Sequence, residues 1–274
     1  MCRKVMEVNN VFEIEKIMYK EIIPEFEELY REAGVEVKFG AKYYELEDTE
    51  YPNILLENLC DRGFRIHNHI EGLDVQHTKA VLKKLAQWHA VSAVYVTNKG
   101  KFKPEIAMGS YKEEMREIRS SMFGDMHSIF LEITKVFEED EEYYDDLCNT
   151  QEHLIDEILK RTQIDENEFN VLNHGDCWWN NIMFQHDAFD EIRETYFIDF
   201  QMPKYGSPAQ DLYCFLLSST ALDIKIKHFD CFIKYYHKQL EEQLTLLNYT
   251  KQIPTLRDIH IMLYKYGIWG KFVY

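Results

Sequence analysis

The sequence contains no hydrophobic run long enough to cross a membrane. A transmembrane helix needs roughly 18 or more consecutive apolar residues. The longest apolar stretch here, residues 212–222, is broken by Ser218, Ser219 and Thr220. The first residues, MCRKVMEVNN, also lack the apolar core of a secretory signal. We therefore expect no membrane among the partners, and a cytoplasmic protein.

Closely spaced cysteines are also missing. The six cysteines are scattered from Cys2 to Cys231 and form no CxxC pair. Disulfide frameworks and cysteine-based zinc sites both depend on short, regular cysteine spacings. We therefore expect the cysteines to be reduced, with neither a disulfide framework nor a cysteine-based zinc site.

Basic residues are few relative to acidic ones. The chain has 31 Lys and Arg against 48 Asp and Glu, which gives a net charge of −17. Nucleic-acid binding needs a basic surface that matches the phosphate backbone, so no nucleic acid is expected among the partners. The 46% hydrophobic and 14% aromatic content over 274 residues instead indicates a folded globular protein.

The order of the predicted elements indicates an α+β fold with a helical majority. Helix-capping signals appear at Asn10, Asp74 and Ser207, and Pro24 should interrupt the first helix. Hydrophobic periodicity predicts a long amphipathic helix after Asp74 and an apolar helix that begins at Ser207 and Pro208. It also predicts helices over 11–33, 110–161, 224–247 and 255–272, and strands over 35–45, 51–59, 182–184 and 195–198.

The most informative stretch is NHGDCWWNN, residues 173–181. It places Asp176 and Asn181 five residues apart on one loop, and Asp199 follows 23 residues after Asp176 at the end of a later strand. Phosphoryl transfer needs a carboxylate that accepts the proton of the attacking hydroxyl, and oxygen ligands that hold Mg²⁺ against nucleotide phosphates. One loop and one neighbouring hairpin could supply these groups.

Two other interpretations of the same residues are possible at this point. The loop could merely satisfy backbone groups, with Asp199 as a turn residue. A hydrolytic metal site built from His174, Asp176 and Asp199 is the second alternative, although no further histidine lies at ligand spacing.

The combined motifs resemble the CHK-type kinase domain of the ecdysteroid-kinase-like family. This family is related to choline kinases and aminoglycoside phosphotransferases, and the resemblance implies an α+β, protein-kinase-like fold. It extends over roughly residues 11–270 and includes these segments: Phe12 to Glu15 with Tyr19 and Pro24, Leu55 to Leu59 with Gly63 and Phe64, Leu85 to Ala90, His174 to Asn181, Asp199 to Gln201, and Pro208 to Leu212.

The resemblance also implies a role for individual residues, with ATP and Mg²⁺ as cofactors. These roles are the catalytic base for Asp176, metal ligands for Asn181 and Asp199, an adenine-binding hinge for Glu57, Asn58 and Leu59, the partner of a phosphate-binding lysine for Glu15, and support of the catalytic loop for Asp211.

The chain departs from the family pattern at its N-terminal lobe. A complete domain has a glycine-rich hairpin and a strand lysine before the helix that carries Glu15, but only 14 residues precede Glu15 and none is glycine. Lys4 is the nearest candidate lysine. We expect a truncated N-lobe over 1–60, joined to a mainly helical C-lobe over 61–274.

The resemblance implies phosphorylation of a hydroxyl on a small, steroid-like molecule. Asp211 follows Asp199 by only 12 positions, too few for the activation segment that docks a peptide in protein kinases. A choline or aminoglycoside kinase is an alternative of the same class. A non-catalytic kinase-like fragment is an alternative of a different class.

Three histidines outside the motif allow more than one interpretation. His67 and His69 form an HxH sequence that could bind zinc, but no cysteine or histidine cluster accompanies them, so we expect them to be exposed to solvent. His89 follows Trp88 on the apolar side of a helix, and we expect a hydrogen-bonded core histidine there.

Overall fold

The computed structural model describes residues 10–46, 50–67, 71–109, 116–134 and 154–272. The α-helices are α1 (Val11–Ile17), α2 (Ile23–Glu32), α3 (Val75–Lys99), α4 (Pro104–Met108), α5 (Arg116–Thr134), α6 (Leu154–Arg161), α7 (Ala209–Ser219), α8 (Leu222–Leu246) and α9 (Leu256–Lys265). The strands are β1 (Tyr43–Tyr44), β2 (Leu55–Leu56), β3 (Phe64–Ile66), β4 (Val171–Asn173), β5 (Ile182–His186), β6 (Ile192–Phe197) and β7 (Lys204–Gly206).

The first helical segment changes its geometry next to Pro24. A π-helical turn, Met18–Ile22, joins α1 to α2, and Pro24 lies in the first turn of α2. Proline has no N–H and its ring clashes with the preceding turn, so an interruption at this point was expected and is confirmed. Asn10 occupies the N-cap position of α1 but makes no side-chain capping bond, so its predicted capping role is wrong.

The strands form three small antiparallel sheets. In the sheet that carries the candidate site, β5 lies between β3 and β6. The predicted strands over 35–45 and 51–59 shorten to the two-residue pair β1–β2. The Phe39 carbonyl instead accepts a hydrogen bond from the Phe197 N–H at 2.8 Å, which fastens the segment before β1 to the end of β6. Strand β7 was not predicted; it pairs with β4, with Val171 opposite Gly206.

The long helices form most of the C-terminal part of the chain. Asp74 accepts a hydrogen bond from the His77 N–H at 2.8 Å and so caps α3, as predicted. Thr255 begins α9 with a capping box. The predicted helix over 255–272 is divided, because α9 ends at Lys265 and a 3₁₀ turn, Gly267–Phe272, follows. Within the predicted helix over 110–161 lie α5 and α6, and its acidic run, residues 138–142, falls outside the described residues.

One large apolar core joins the early helices to the late ones. The Phe26 ring on α2 has its centroid 4.9 Å from Trp88 on α3 and 6.5 Å from Phe39. The same cluster of buried side chains continues to Trp269. Helices α1 and α2 therefore share their core with α3 and the C-terminal helices. Among the helices of the described residues, no candidate for a membrane crossing is found.

Truncation of Phe26 tests this shared core. Phe26 is fully buried, so Phe26→Ala should lower the free energy of unfolding by about 3–5 kcal/mol in urea denaturation. Phe189 is 88% exposed, and Phe189→Ala should change the free energy of unfolding by less than about 0.5 kcal/mol. A loss near that of the control would show that α2 does not belong to the core.

Candidate active site

The loop that follows β4 is held by a buried carboxylate. Asp211, in the first turn of α7, has no exposed surface. Its two oxygens accept the backbone N–H groups of His174 at 2.7 Å and of Gly175 at 2.9 Å. Hydrogen bonds to a charged acceptor are stronger than neutral ones. The loop therefore has a fixed starting geometry, and the supporting role implied for Asp211 agrees with these contacts.

Asp211 is itself held from behind by His89. The His89 Nε2 atom lies 3.2 Å from Asp211 Oδ2, and its Nδ1 atom lies 2.7 Å from the Tyr236 hydroxyl. Because a carboxylate only accepts, Nε2 carries a hydrogen, and in the neutral ring Nδ1 accepts from the tyrosine. The prediction of a hydrogen-bonded core histidine is confirmed. Tyr236, on α8, completes this chain and was missed as a support residue.

Asn173 ties the loop to β7 and α7. Its amide group donates to the Lys204 carbonyl at 3.0 Å, and its side-chain oxygen accepts the Asp211 N–H at 3.3 Å. This side chain is buried. One side chain therefore fixes three elements relative to one another, a role that the sequence pattern did not reveal.

Gly175 allows the loop to pass close to the segment that follows Asp199. Its φ angle is +82°, and a Cβ atom built on it would lie 1.8 Å from the Met202 carbonyl oxygen. Any other residue would be strained by its backbone conformation and would also clash. This glycine brings the two halves of the candidate site together.

Asp176 and Asn181 are in direct contact. The Asn181 amide donates to Asp176 Oδ2 at 2.9 Å and to the Asp176 carbonyl at 3.0 Å. With its NH₂ group used in this way, Asn181 retains Oδ1 as an acceptor. The Asp176 N–H donates to His174 Nδ1 at 3.3 Å, and His174 Nε2 lies 3.1 Å from the Ile198 carbonyl. The His174 ring thus bridges the loop and the hairpin.

Asp199 lies at the end of this hairpin in a left-handed backbone conformation. Its φ angle is 65°, which is unusual for a residue other than glycine and often marks a functional site. The Ile198 N–H donates to the Asn181 carbonyl at 3.0 Å, so the chain enters Asp199 beside Asn181. The Gln201 side chain donates to Asp199 Oδ2 at 3.0 Å.

Charge repulsion acts between neighbouring carboxylates at this point, from Asp176 on Asp199 and from Asp199 on Glu15. Burial raises the pKa of Asp176 above its ordinary value. Burial, and then the Asp176 charge, raise the pKa of Asp199. Burial and the Asp199 charge raise the pKa of Glu15 to about 7, against the opposing effect of a hydrogen bond from the Phe200 backbone. The structure therefore brings together Asp176, Asn181, Asp199 and Glu15 in an acidic environment that a cation would stabilise.

The lysine partner that the family resemblance implies for Glu15 is not found in the described ranges. No Lys or Arg among these residues forms an ion pair with Glu15; Lys20, one turn beyond it, pairs with Glu45. The candidate Lys4 lies outside the described residues. The implied lysine pairing of Glu15 therefore stays a prediction.

The predicted hinge residues make local contacts. The Glu57 N–H donates to the Lys42 carbonyl at 2.9 Å, and its carboxylate accepts Arg62 at 3.2 Å. Asn58 caps the following 3₁₀ turn by accepting the Cys60 N–H at 3.1 Å. Leu59 is buried in a small second apolar cluster. Their adenine-binding role stays a prediction based on the resemblance.

The oxygen donors of the site suit Mg²⁺. This ion prefers oxygen ligands, keeps several waters, and is usually bound by one or two protein carboxylates together with substrate phosphates. Asn181 Oδ1 and the Asp199 carboxylate are donors of this kind. No group of three or more His, Cys, Asp or Glu within the described ranges could hold a metal on its own. An ion here would therefore share its coordination with phosphates and water.

A pH series on Glu15→Gln tests the acidic environment. The folded state raises the pKa of Glu15 to about 7. The folding stability that the protonated carboxyl contributes is therefore fully present below about pH 4.5, and it is lost as the pH rises through about 7. The variant cannot ionise, so its melting temperature should exceed that of the wild type by a margin that grows between about pH 5 and 7 and then levels off.

Glu13→Gln is the matched control, since Glu13 is exposed on the same helix. Its effect on the melting temperature should not vary over this pH interval. A constant difference between Glu15→Gln and the wild type would contradict the acidic environment described for Glu15.

Comparison with known proteins gives a family. The chain matches the ecdysteroid kinase-like family over residues 1–249. Solved structures similar to it include a choline kinase from Cryptosporidium parvum, with 13% identity, coverage of 94% of this chain and 70% of that chain, and a TM-score of 0.47. An ethanolamine kinase from Plasmodium vivax has 15% identity, coverage of 93% and 70%, and a TM-score of 0.37. No curated protein matches the chain.

The family match extends over most of the 274 residues. It confirms the resemblance seen in the sequence, together with the α+β, protein-kinase-like fold class, and supports a small-molecule kinase. The chain therefore belongs to the ecdysteroid kinase-like family.

Proposed function

We propose that the protein transfers a phosphoryl group from ATP to a hydroxyl of a small molecule, with Mg²⁺ as the metal cofactor. The observation that carries this proposal is the contact of Asp176 with Asn181 on a loop beside Asp199. One group can accept a proton and two others can ligate a metal, which is the set that phosphoryl transfer needs.

Asp176 acts as the base. Asn181 donates to its Oδ2 atom at 2.9 Å and so fixes the orientation of the carboxylate. Oδ1 of Asp176 would then orient the acceptor hydroxyl and take its proton, as the hydroxyl oxygen bonds to the γ-phosphorus of ATP and the bond from that phosphorus to the leaving ADP oxygen breaks. The Asp176 carboxylate takes up this proton. Burial raises the pKa of Asp176, which favours its role as a proton acceptor.

Asn181 and Asp199 hold the metal. When bound, ATP would supply the phosphoryl group, and Mg²⁺ would neutralise the charge that develops on this group during transfer. Burial, and then the charge of Asp176, raise the pKa of Asp199, and a bound cation would relieve this repulsion. Glu57 to Leu59 provide the backbone for adenine, and Glu15 supports the phosphate side; both assignments rest on the family resemblance.

The acceptor is a small molecule and not a peptide. Between Asp199 and Asp211 the chain passes through β7, which pairs with β4, and enters α7 directly. This short segment leaves no platform on which a peptide would dock. The family resemblance favours a steroid-like alcohol, and choline-type or aminoglycoside alcohols are the rival class.

Substitution of the base is the direct test. Asp176→Asn should lower kcat by about 10²- to 10⁴-fold, because the amide cannot accept the proton, whereas nucleotide affinity should change by less than about threefold. The assay would follow ADP release with a panel of a hydroxylated steroid, choline, ethanolamine and an aminoglycoside. Asp190→Asn, at the exposed tip of the β5–β6 hairpin, is the charge-matched control and should leave kcat unchanged.

The panel also separates the alternatives. Turnover with choline or the aminoglycoside alone would replace the steroid-like acceptor by the rival class. Nucleotide binding without turnover on any acceptor would favour a non-catalytic fragment. A parallel loss of nucleotide binding and turnover in Asp176→Asn would assign a structural role to Asp176.

A further inference from the structure

Three histidines from separate elements meet on the face of the β3–β5–β6 sheet that packs against α3. His67 follows β3, His77 lies in the first turn of α3, and His186 ends β5. The His77 ring centroid is 4.3 Å from that of His67 and 4.8 Å from that of Phe184. His67 is half-buried, so the prediction of a solvent-exposed residue is wrong for it, and His69 lies outside the described residues. The proposed kinase chemistry uses none of these side chains.

Asp74 fixes the protonation pattern of the His77 ring. Its Oδ1 atom lies 2.9 Å from His77 Nδ1 and also accepts the His77 backbone N–H at 2.8 Å. Since a carboxylate only accepts, Nδ1 carries a hydrogen, and in the neutral ring Nε2 presents its lone pair. Histidines that bind metals are oriented by the same contact, with the distal ring N–H donated to a carboxylate.

The Nε2 atom of His77 lies next to a second imidazole nitrogen. His77 Nε2 and His186 Nε2 are 3.2 Å apart. Zinc–nitrogen bonds of about 2.0–2.1 Å in tetrahedral geometry place two ligand nitrogens about 3.3 Å apart. The two rings therefore already hold the spacing of adjacent zinc ligands.

The surroundings are apolar on one side and acidic on the other. The His77 side chain is 11% exposed and packs on Phe184. Asp74 and Glu71 both act electrostatically on neighbouring His67. Glu191 is held nearby by a hydrogen bond from Gln76, the neighbour of His77, at 2.6 Å. These carboxylates favour positive charge at this position, and a bound metal ion would supply it.

We propose that His77 and His186 form a binding site for a divalent transition metal, with Zn²⁺ as the physiological candidate. Asp74 acts as the residue that orients His77. The described residues offer no third His, Cys, Asp or Glu that completes a cage, so water completes the coordination and leaves the site open. The ion would link the start of α3 to the end of β5, two elements that lie far apart in the sequence.

Zinc titration of the tag-free, chelator-stripped chain tests the site. Isothermal titration calorimetry should show one Zn²⁺ per chain, and saturating Zn²⁺ should raise the melting temperature. His77→Gln and His186→Gln should each weaken binding at least tenfold, and Asp74→Asn should weaken it about tenfold or more because it removes the orienting contact. His228→Gln, on the exposed surface of α8, is the matched control and should bind like the wild type. Mg²⁺ should not compete, because it prefers oxygen ligands.

A second measurement does not depend on the variants. In ¹⁵N spectra of the wild type, Zn²⁺ should shift the ring nitrogens of both His77 and His186. Absence of saturable binding, unchanged affinity in both histidine variants, or unshifted rings would overturn the proposal. In that case the two rings share only an N–H···N hydrogen bond.

Discussion

The buried carboxylate of Asp211 is the interaction on which the candidate site depends. It accepts two consecutive backbone N–H groups, of His174 and Gly175, and is braced by His89 and Tyr236. A buried charge is strongly destabilising unless it is hydrogen-bonded, and here two of the contacts that satisfy it, those with the His174 and Gly175 N–H groups, also fix the loop. The position of Asp176, one residue beyond Gly175, is thereby set from the interior of the protein.

Negative charge also accumulates among the partly buried carboxylates of the site. Hydrogen bonds satisfy Asp211, but burial raises the pKa of Asp176, Asp199 and Glu15, and repulsion from a neighbouring carboxylate adds to this effect in each case. A protein that maintains such a cluster loses stability near neutral pH unless a cation binds there. Metal binding and proton binding at this site should therefore compete.

Much of the site could be predicted because its residues are close in sequence or lie at element ends. The spacing of Asp176 and Asn181 predicted a shared loop, and their contact confirms that proximity. The contact of His89 with Asp211 joins residues 122 positions apart, and no local pattern encodes such a pair. The predicted strand over 35–45 was too long because Phe39 packs into the helical core, and periodicity alone does not distinguish that burial from sheet pairing.

The most direct measurement compares metal–nucleotide binding in the wild type and in Asp211→Asn, with Mn²⁺ as a paramagnetic substitute for Mg²⁺. Asp211 does not face the metal in this account, yet the amide removes one of its two acceptor oxygens and should loosen the loop. Electron paramagnetic resonance titration with ADP should therefore show affinity at least tenfold lower in this variant, with circular dichroism unchanged. Asp223→Asn, an exposed change of equal charge on α8, should bind like the wild type. Equal affinity in Asp211→Asn and the wild type would contradict the claim that Asp211 organises the site.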